Sequence, residues 1–363
     1  MSELHAIEQM EQKLSHSLDW NQARIKFLAR FLIALIAVKT VCLSQIASVF
    51  PGQAKPASHY KRIQRFLRGF DLDFAALAKM LAALVGPEPP LSGAKRRGWV
   101  LSLDRTNWKL GNTEINFLVL ARVHQGVAFP LLWTVLPKAG SSNTYERIDL
   151  LGRFVTTFGA HKVAHLCADR EFASQGFLAW LVEQKISFRL RVKVDTLVAD
   201  RRGHLACADW LLRDCPLHQE RILAGKRRCL GQALFVMGTR LPDDFLIVVS
   251  DVPARLEDYA LRWGIETLFG CLKSRGFCLE ATHVVEAERL SKLMGLLALA
   301  FCWAFGAGVW LAEHKPLTIK KHGRPAVSLF RSGLDWLRRV LMPLCGQIKR
   351  PDFQTALRFL SCT

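Results

Sequence analysis

The order of apolar runs between residues 98 and 192 constrains this chain more than any other feature. The stretches 98–104 (GWVLSLD), 116–123 and 127–136 read as three strands, and the first of them ends on an acid, Asp104. Asn143, with Glu146 three residues later, makes a capping-box start for a helix running to about residue 158. A fourth strand, 163–168, is again followed at once by an acid, Asp169; a helix over about 174–184 and a strand at 186–192 complete the series. Three strands, a helix, a strand, a helix and a strand make an α/β layer in which meandering strands lead into crossovers.

That order is similar to the ribonuclease H-like fold, and it sets expectations for what flanks it. Residues 1–86 read as helical throughout, with apolar residues at helical spacing through Ile25, Leu28, Leu32, Leu35 and Ile36 and again through Ile63, Phe66 and Leu67. A short apolar helix over 43–50, a Pro/Gly turn and a basic helix carrying Lys61, Arg62, Arg65 and Arg68 suit a helix-turn-helix variant for DNA, although a solvated basic face would give the same letters. Residues 87–97 form a linker by their Pro, Gly and charge content. The catalytic region is expected over 98–312, with an inserted β-rich subdomain at about 195–252, and a basic helical region over 313–363. Between His314 and Arg350 that last region has nine Lys or Arg against one acid, Asp335.

Composition narrows the partner. A chain of 363 residues suggests two or three domains, and 50% hydrophobic with 22% charged residues excludes wholesale disorder. A net charge of +19 points to a polyanion, nucleic acid or an acidic membrane surface. Residues 293–312 carry no formal charge and are long enough to cross a bilayer, but Gly295, Gly306 and Gly308 interrupt them and no second such run exists, so a buried helix and no membrane are expected. The opening MSELHAIEQMEQKL has acids where a secretory leader wants Lys and Arg, and ten cysteines are sparse for a disulfide scaffold; reduced thiols in a cytoplasmic protein are expected. His204, Cys207, Cys215 and His218 have ligand-like spacing, for which chance proximity is the simpler account.

The chemistry lies in the acids. In an open α/β sheet, ligand sites gather at the carboxyl ends of strands, where Asp104 and Asp169 would meet if their strands are neighbours. On a helical wheel at about 100° per residue, Tyr259, Arg262, Glu266 and Lys273 share one narrow stripe, and Leu261, Ile265, Leu268 and Leu272 lie opposite. An aromatic hydroxyl, two cations and one acid suit a phosphate lying beside a metal-binding carboxylate. Cleaving a phosphodiester in line needs charge neutralised on both the attacking and leaving oxygens, which two divalent cations provide, and Mg²⁺ favours oxygen ligands.

Asp104 in LSLDRTNW, Asp169 in CADREF and the Tyr-x2-Arg-x3-Glu-x6-Lys signature ending at Lys273 resemble the DDE transposases of the insertion-sequence-four family, bacterial cut-and-paste enzymes. The likeness spans about 99–277, includes Gly140 to Arg147 and Arg189 to Lys193, and extends to a C-terminal element from His322-Gly-Arg324 to Arg331. It implies that Asp104, Asp169 and Glu266 bind two Mg²⁺ ions, for which Mn²⁺ would substitute. It further implies that Tyr259, Arg262 and Lys273 contact terminal phosphates, and that Arg191 and Lys193 touch the DNA backbone. It implies double-stranded DNA as partner, both terminal inverted repeats and target, a homodimer in the DNA complex, a nucleoid-associated cytoplasmic location, and a hairpin intermediate with a flipped base stacked on an aromatic residue. Where relatives place a Trp for that stacking, this sequence offers Phe245, for which a plain core role is the commoner outcome.

Two other readings share the acids. A ribonuclease H-like nuclease would hydrolyse without joining strands, and an inactive DNA-binding relative would do neither. The phosphate-cradling Gly-x4-Gly-Lys-Ser/Thr loop, Gly-x-Ser-x-Gly and His-Glu-x-x-His are all absent from the sequence, so no nucleotide cofactor and no nucleophilic hydrolase are expected.

Overall fold

Alternating apolar residues at the start of the sheet region and 3.6-residue periodicity on either side of it produce the elements of the computed structural model. It describes residues 3–86, 98–321, 323, 325–342 and 350–360. The expected linker at 87–97 and His322 and Arg324 of the C-terminal element lie outside the described residues. The chain begins with α1 (Glu3–Ser15), α2 (Gln22–Val38), α3 (Leu43–Ser48), α4 (Pro56–Gly69) and α5 (Phe74–Leu84). Then come β1 (Trp99–Leu110), β2 (Thr113–His124), β3 (Val127–Leu136), α6 (Thr144–Phe158), β4 (Val163–Ala168), α7 (Gln175–Glu183) and β5 (Phe188–Val192). The next stretch holds β6 (Leu197–Ala199), β7 (Leu205–Cys207), α8 (Ala208–Leu212), β8 (Glu220–Ile222), β9 (Arg227–Cys229), β10 (Gln232–Arg240) and β11 (Phe245–Ser250). It closes with α9 (Leu256–Ala260), α10 (Gly264–Leu272), α11 (Ala287–His314), α12 (Leu329–Leu341) and α13 (Arg350–Arg358).

The chain divides into two units whose limits differ from those read in the sequence: 1–87, 108–115 and 268–363 form one, and 88–107 with 116–267 the other. The second unit is the sheet. Its strands run in the order β3-β2-β1-β4-β5-β11-β10-β9-β6-β7, with β8 pairing on β10. β4 lies parallel to both β1 and β5, the arrangement that needs crossover helices, and α6 and α7 supply them. β2 and β3 form the antiparallel meander. Asn143 caps α6 as a capping box with Glu146, as the spacing indicated. Leu101, Leu103, Phe117, Leu166, Phe188 and Leu190 are fully buried. Gly98 is required where β1 begins: a Cβ there would stand 2.8 Å from the Ala164 amide nitrogen.

Two expectations change in detail. β1 does not stop at Asp104 but runs on to Leu110. The β-rich stretch is present, yet β11 pairs antiparallel with β5 from Ile247–Val192 to Ser250–Arg189, so its strands continue the same sheet. Hydrogen bonds to an otherwise open β5 edge explain this, because an unpaired edge leaves donors and acceptors unsatisfied.

The first unit is helical, and α11 is its core. An 18-residue window of α11 has the length and hydropathy to cross a membrane, and 83% of that window is buried inside the protein. α2, α4, α5 and α12 surround it. Gly308 and Gly333 explain how α12 comes so close: a Cβ on Gly308 would collide with the Leu329 carbonyl, and one on Gly333 with that of Ala304. The Trp303 indole donates to the Ala356 carbonyl at 2.8 Å. In the same unit α4 buries Ile63, Phe66 and Leu67 and leaves Lys61, Arg62, Arg65 and Arg68 exposed, the amphipathic division that its spacing required. Asn21 caps α2 and Asp73 caps α5.

Candidate active site

Register brings the two aspartates together. The parallel ladder of β1 on β4 ends with Leu103 opposite Ala168, so Asp104 and Asp169 are the next residue on each of two neighbouring strands. Asp169 opens a single 3-10 turn, while Asp104 stays within β1. Glu266 arrives from the segment after β11. That segment is not one regular helix: α9 gives way to a 3-10 turn over Leu261–Trp263 before α10 begins, and Lys273 lies beyond the end of α10. The wheel drawn on an unbroken helix is corrected accordingly, although Ile265, Leu268 and Leu272 still face inward.

A guanidinium sits among the acids. Arg262 Nη1 donates to Asp104 Oδ2 at 3.1 Å, and Nη2 donates to Glu266 Oε1 at 2.7 Å. The Tyr259 hydroxyl donates to Asp169 Oδ1 at the limit of hydrogen bonding, 3.5 Å, and Arg191 Nη1 stands 3.9 Å from the same oxygen. Arg191 is also held by Asp244 Oδ2 at 3.0 Å. Burial pushes the Asp104 carboxyl up to about 6, and the neighbouring Glu171 and Asp169 charges add to this; the Arg105 amide and Arg262 oppose it. Burial likewise drives the Tyr259 phenol well above its ordinary range, so it stays a protonated donor.

Other motif residues turn out to brace this cluster. Arg105 makes a bidentate pair with Glu171, at 2.7 and 2.8 Å, and donates to the Gly140 carbonyl at 2.6 Å and to Asn116 Oδ1 at 3.2 Å. Arg147 is buried and donates from Nε to Ser142 Oγ and from Nη1 to the Phe172 carbonyl. Arg189 is buried against the Phe188 carbonyl and Ser250 Oγ. Sequence reasoning passed over Arg105, Glu171 and Asp244. The signal was there for the first two, a cation directly after Asp104 and an acid two residues after Asp169.

The remaining expected residues lie as follows. Lys193 is exposed just past β5, and Phe245 is half-buried at the start of β11, opposite Arg240. Tyr259 and Arg262 are almost wholly buried, so neither presents a free surface to a phosphate in this arrangement. Lys273 belongs to the helical unit, where it pairs with Glu280 at 2.8 Å and stands over the Trp108 ring. His204, Cys207, Cys215 and His218 do not assemble; the Cys215 thiol donates to the Gln219 carbonyl and His204 faces Asp200.

Among the described residues no three of His, Cys, Asp and Glu stand close enough to hold a metal ion. The donor set nevertheless suits a hard divalent cation: Asp104, its charge disfavoured by burial, and Glu266 already share one organic cation, and Asp169 stands on the strand beside Asp104.

His165 on β4 backs the cluster and supplies a pH dependence. Its Nε2 is 3.3 Å from the Asp258 carbonyl, and burial, with Arg189 nearby, lowers its pKa to about 4. A base whose folded pKa lies below its unfolded value stabilises the fold above the unfolded value, and this is lost as pH falls from about 6.5 to about 4. Urea unfolding midpoints are expected to drop across that window, and His165→Asn should flatten this part of the profile.

Residues 97–303, more than half of the chain, match a family model described as a transposase DDE domain. No curated protein matches the chain.

Proposed function

The chain belongs to the DDE transposase domain family, and we propose that it is a cut-and-paste enzyme of the insertion-sequence-four type, acting on double-stranded DNA. On this reading it cuts at terminal inverted repeats and joins the freed 3′-OH ends to target DNA. The observation that carries it is that Asp104 and Asp169 follow directly on the paired ends of two adjacent parallel strands, with Glu266 tied to Asp104 through the Arg262 guanidinium.

Asp104, Asp169 and Glu266 would hold two Mg²⁺, or Mn²⁺ in their place, which when bound neutralise charge on the attacking and leaving oxygens of a phosphodiester. The chain's own residues do the rest. Glu171, through its fork to Arg105, fixes the segment that carries Asp104. Arg262 neutralises Asp104 and Glu266 while no other cation is there. Lys193, with Arg191 beside Asp169, offers positive charge for a DNA backbone near the reacting centre, Arg as a planar fork and Lys as a point charge. The exposed face of α4, with Lys61, Arg62 and Arg65, gives a second phosphate-binding stripe. Phe245, half-buried, is the aromatic available for stacking a flipped base, an interaction of about 1 to 3 kcal/mol. Lys273, paired with Glu280, would have to leave that partner to meet a phosphate. A homodimer on paired DNA ends and a nucleoid-associated cytoplasmic location belong to the same reading.

The test uses DNA flanking the coding sequence. Purified protein with Mg²⁺ is expected to cut at matched inverted repeats and to transfer the 3′-OH end into a target plasmid. Cutting without transfer would make the protein a nuclease, and neither activity, with DNA binding intact, would make it an inactive relative.

A further inference from the structure

We propose that the β-rich extension of the sheet carries a second phosphate-binding site, separate from the acidic cluster and built by Arg201, Arg202, Arg221 and Arg227. An open cavity of about 510 Å³ lies between the β6–β7 turn, the segment after β8 and the start of β9, closed on one side by Leu211 of α8. These four arginines line it, with His204 beside them. The acid among the described lining residues, Asp200, is already committed: Oδ1 accepts from the Arg202 and His204 amides, at 2.7 and 2.9 Å, and Oδ2 faces the His204 ring. Those hydrogen bonds leave Asp200 its charge, so four guanidinium groups face one carboxylate and the cavity stays net positive.

Arg227 is the group that asks for a ligand. It is only 9% exposed, lines the cavity and has a buried Nε without a hydrogen-bond partner. A buried guanidinium with an unmade hydrogen bond is costly, and an anion offering several acceptor oxygens removes that cost. Arg201, Arg202 and Arg221 are exposed at the rim, where they can close on the same anion. A planar fork matches phosphate oxygens in pairs, and the volume accommodates a phosphoryl group with the sugar or second phosphate attached to it. Two sources carry that chemistry, a DNA strand or a free phosphorylated compound. The first rests on the transposase reading; the second does not.

Calorimetric titration of the full-length protein with inorganic pyrophosphate, without divalent metal, separates them when paired with duplex DNA binding at several salt concentrations. The variants are Arg201→Ala with Arg221→Ala, both exposed, and Arg227→Gln, each accepted only if its melting temperature matches the parent. Lys185→Ala, alone and with Lys162→Ala, both exposed and neither lining the cavity, controls for the loss of one and of two charges. Pyrophosphate affinity is expected to fall at least about tenfold in both cavity variants and to hold in the controls. If the DNA salt slope also drops, by about 0.9 for each phosphate that is no longer neutralised, the phosphate belongs to a strand. If only pyrophosphate binding changes, it belongs to a free compound. Cavity variants matching the controls in both titrations would overturn the site. Failure of the wild-type protein to cut its own ends would instead overturn the transposase reading and leave the pyrophosphate result standing.

Discussion

Asp104→Asn is expected to lower end cleavage by roughly a thousandfold or more, the size that follows when several kcal/mol of charge stabilisation at a phosphoryl centre is lost. The same change should not weaken the fold. The Asp104 side chain is 19% exposed, and its carboxyl is raised to about 6 because burial disfavours the charged form more than Arg262 and the Arg105 amide favour it. For an acid whose folded pKa lies above its unfolded value, the contribution to stability is largest below the unfolded value and declines as pH rises through the folded one. In metal-free buffer the Asn variant, which has no charge to bury, is therefore expected to equal the parent near pH 4 and to unfold at higher urea above pH 6. Cleavage within tenfold of wild type would remove Asp104 from the reaction. Loss of cleavage accompanied by an earlier unfolding midpoint at pH 8 would show that the residue is structural.

What the sequence made legible were the features with a short period or a fixed spacing. β2, β3, β4, α6 with its Asn143–Glu146 cap, and α7 fall within a few residues of where alternation and capping signals put them. The meeting of Asp104 and Asp169 was legible too, because parallel neighbours with matched register align whatever follows each strand. The Tyr-x2-Arg-x3-Glu spacing was less so. A wheel assumes one helix, and the 3-10 turn at Leu261–Trp263 changes the angle between Tyr259 and Glu266. Nothing in the letters revealed that Arg262 would spend its fork on Asp104 and Glu266, since pairing across 158 residues depends on tertiary structure. The grouping of α11 to α13 with the first five helices was hidden for the same reason. Composition marks a boundary at 87–97, whereas Gly308 and Gly333 act only when two helix backbones meet. The Arg227 cavity was equally hidden, because its four arginines come from separate stretches that only strand pairing brings together.

Arg262→Gln should reverse the relation between stability and metal. In the parent the guanidinium, 8% exposed, bonds both Asp104 and Glu266. Removing one partner from a buried ion pair leaves charge uncompensated, and typical losses are about 3 to 5 kcal/mol. Here the groups left behind are the Asp104 carboxyl, which without Arg262 takes up a proton more readily and so limits the loss, and Glu266, whose 54% exposure screens it, so the lower end of that range is expected. A glutamine can still donate one hydrogen bond but brings no charge. The variant should consequently melt well below the parent in chelator, and added Mg²⁺ should recover much of the difference, because a ligand that binds only the folded state stabilises it in proportion to the logarithm of its concentration over Kd. The parent, whose carboxylates already hold a cation, should respond less. Thermal melts of both proteins in EDTA and across a Mg²⁺ series measure this without any DNA. A Mg²⁺ response no larger in Arg262→Gln than in the parent would mean that the three carboxylates do not form a common cation site, and the two-metal chemistry would lose its ligands.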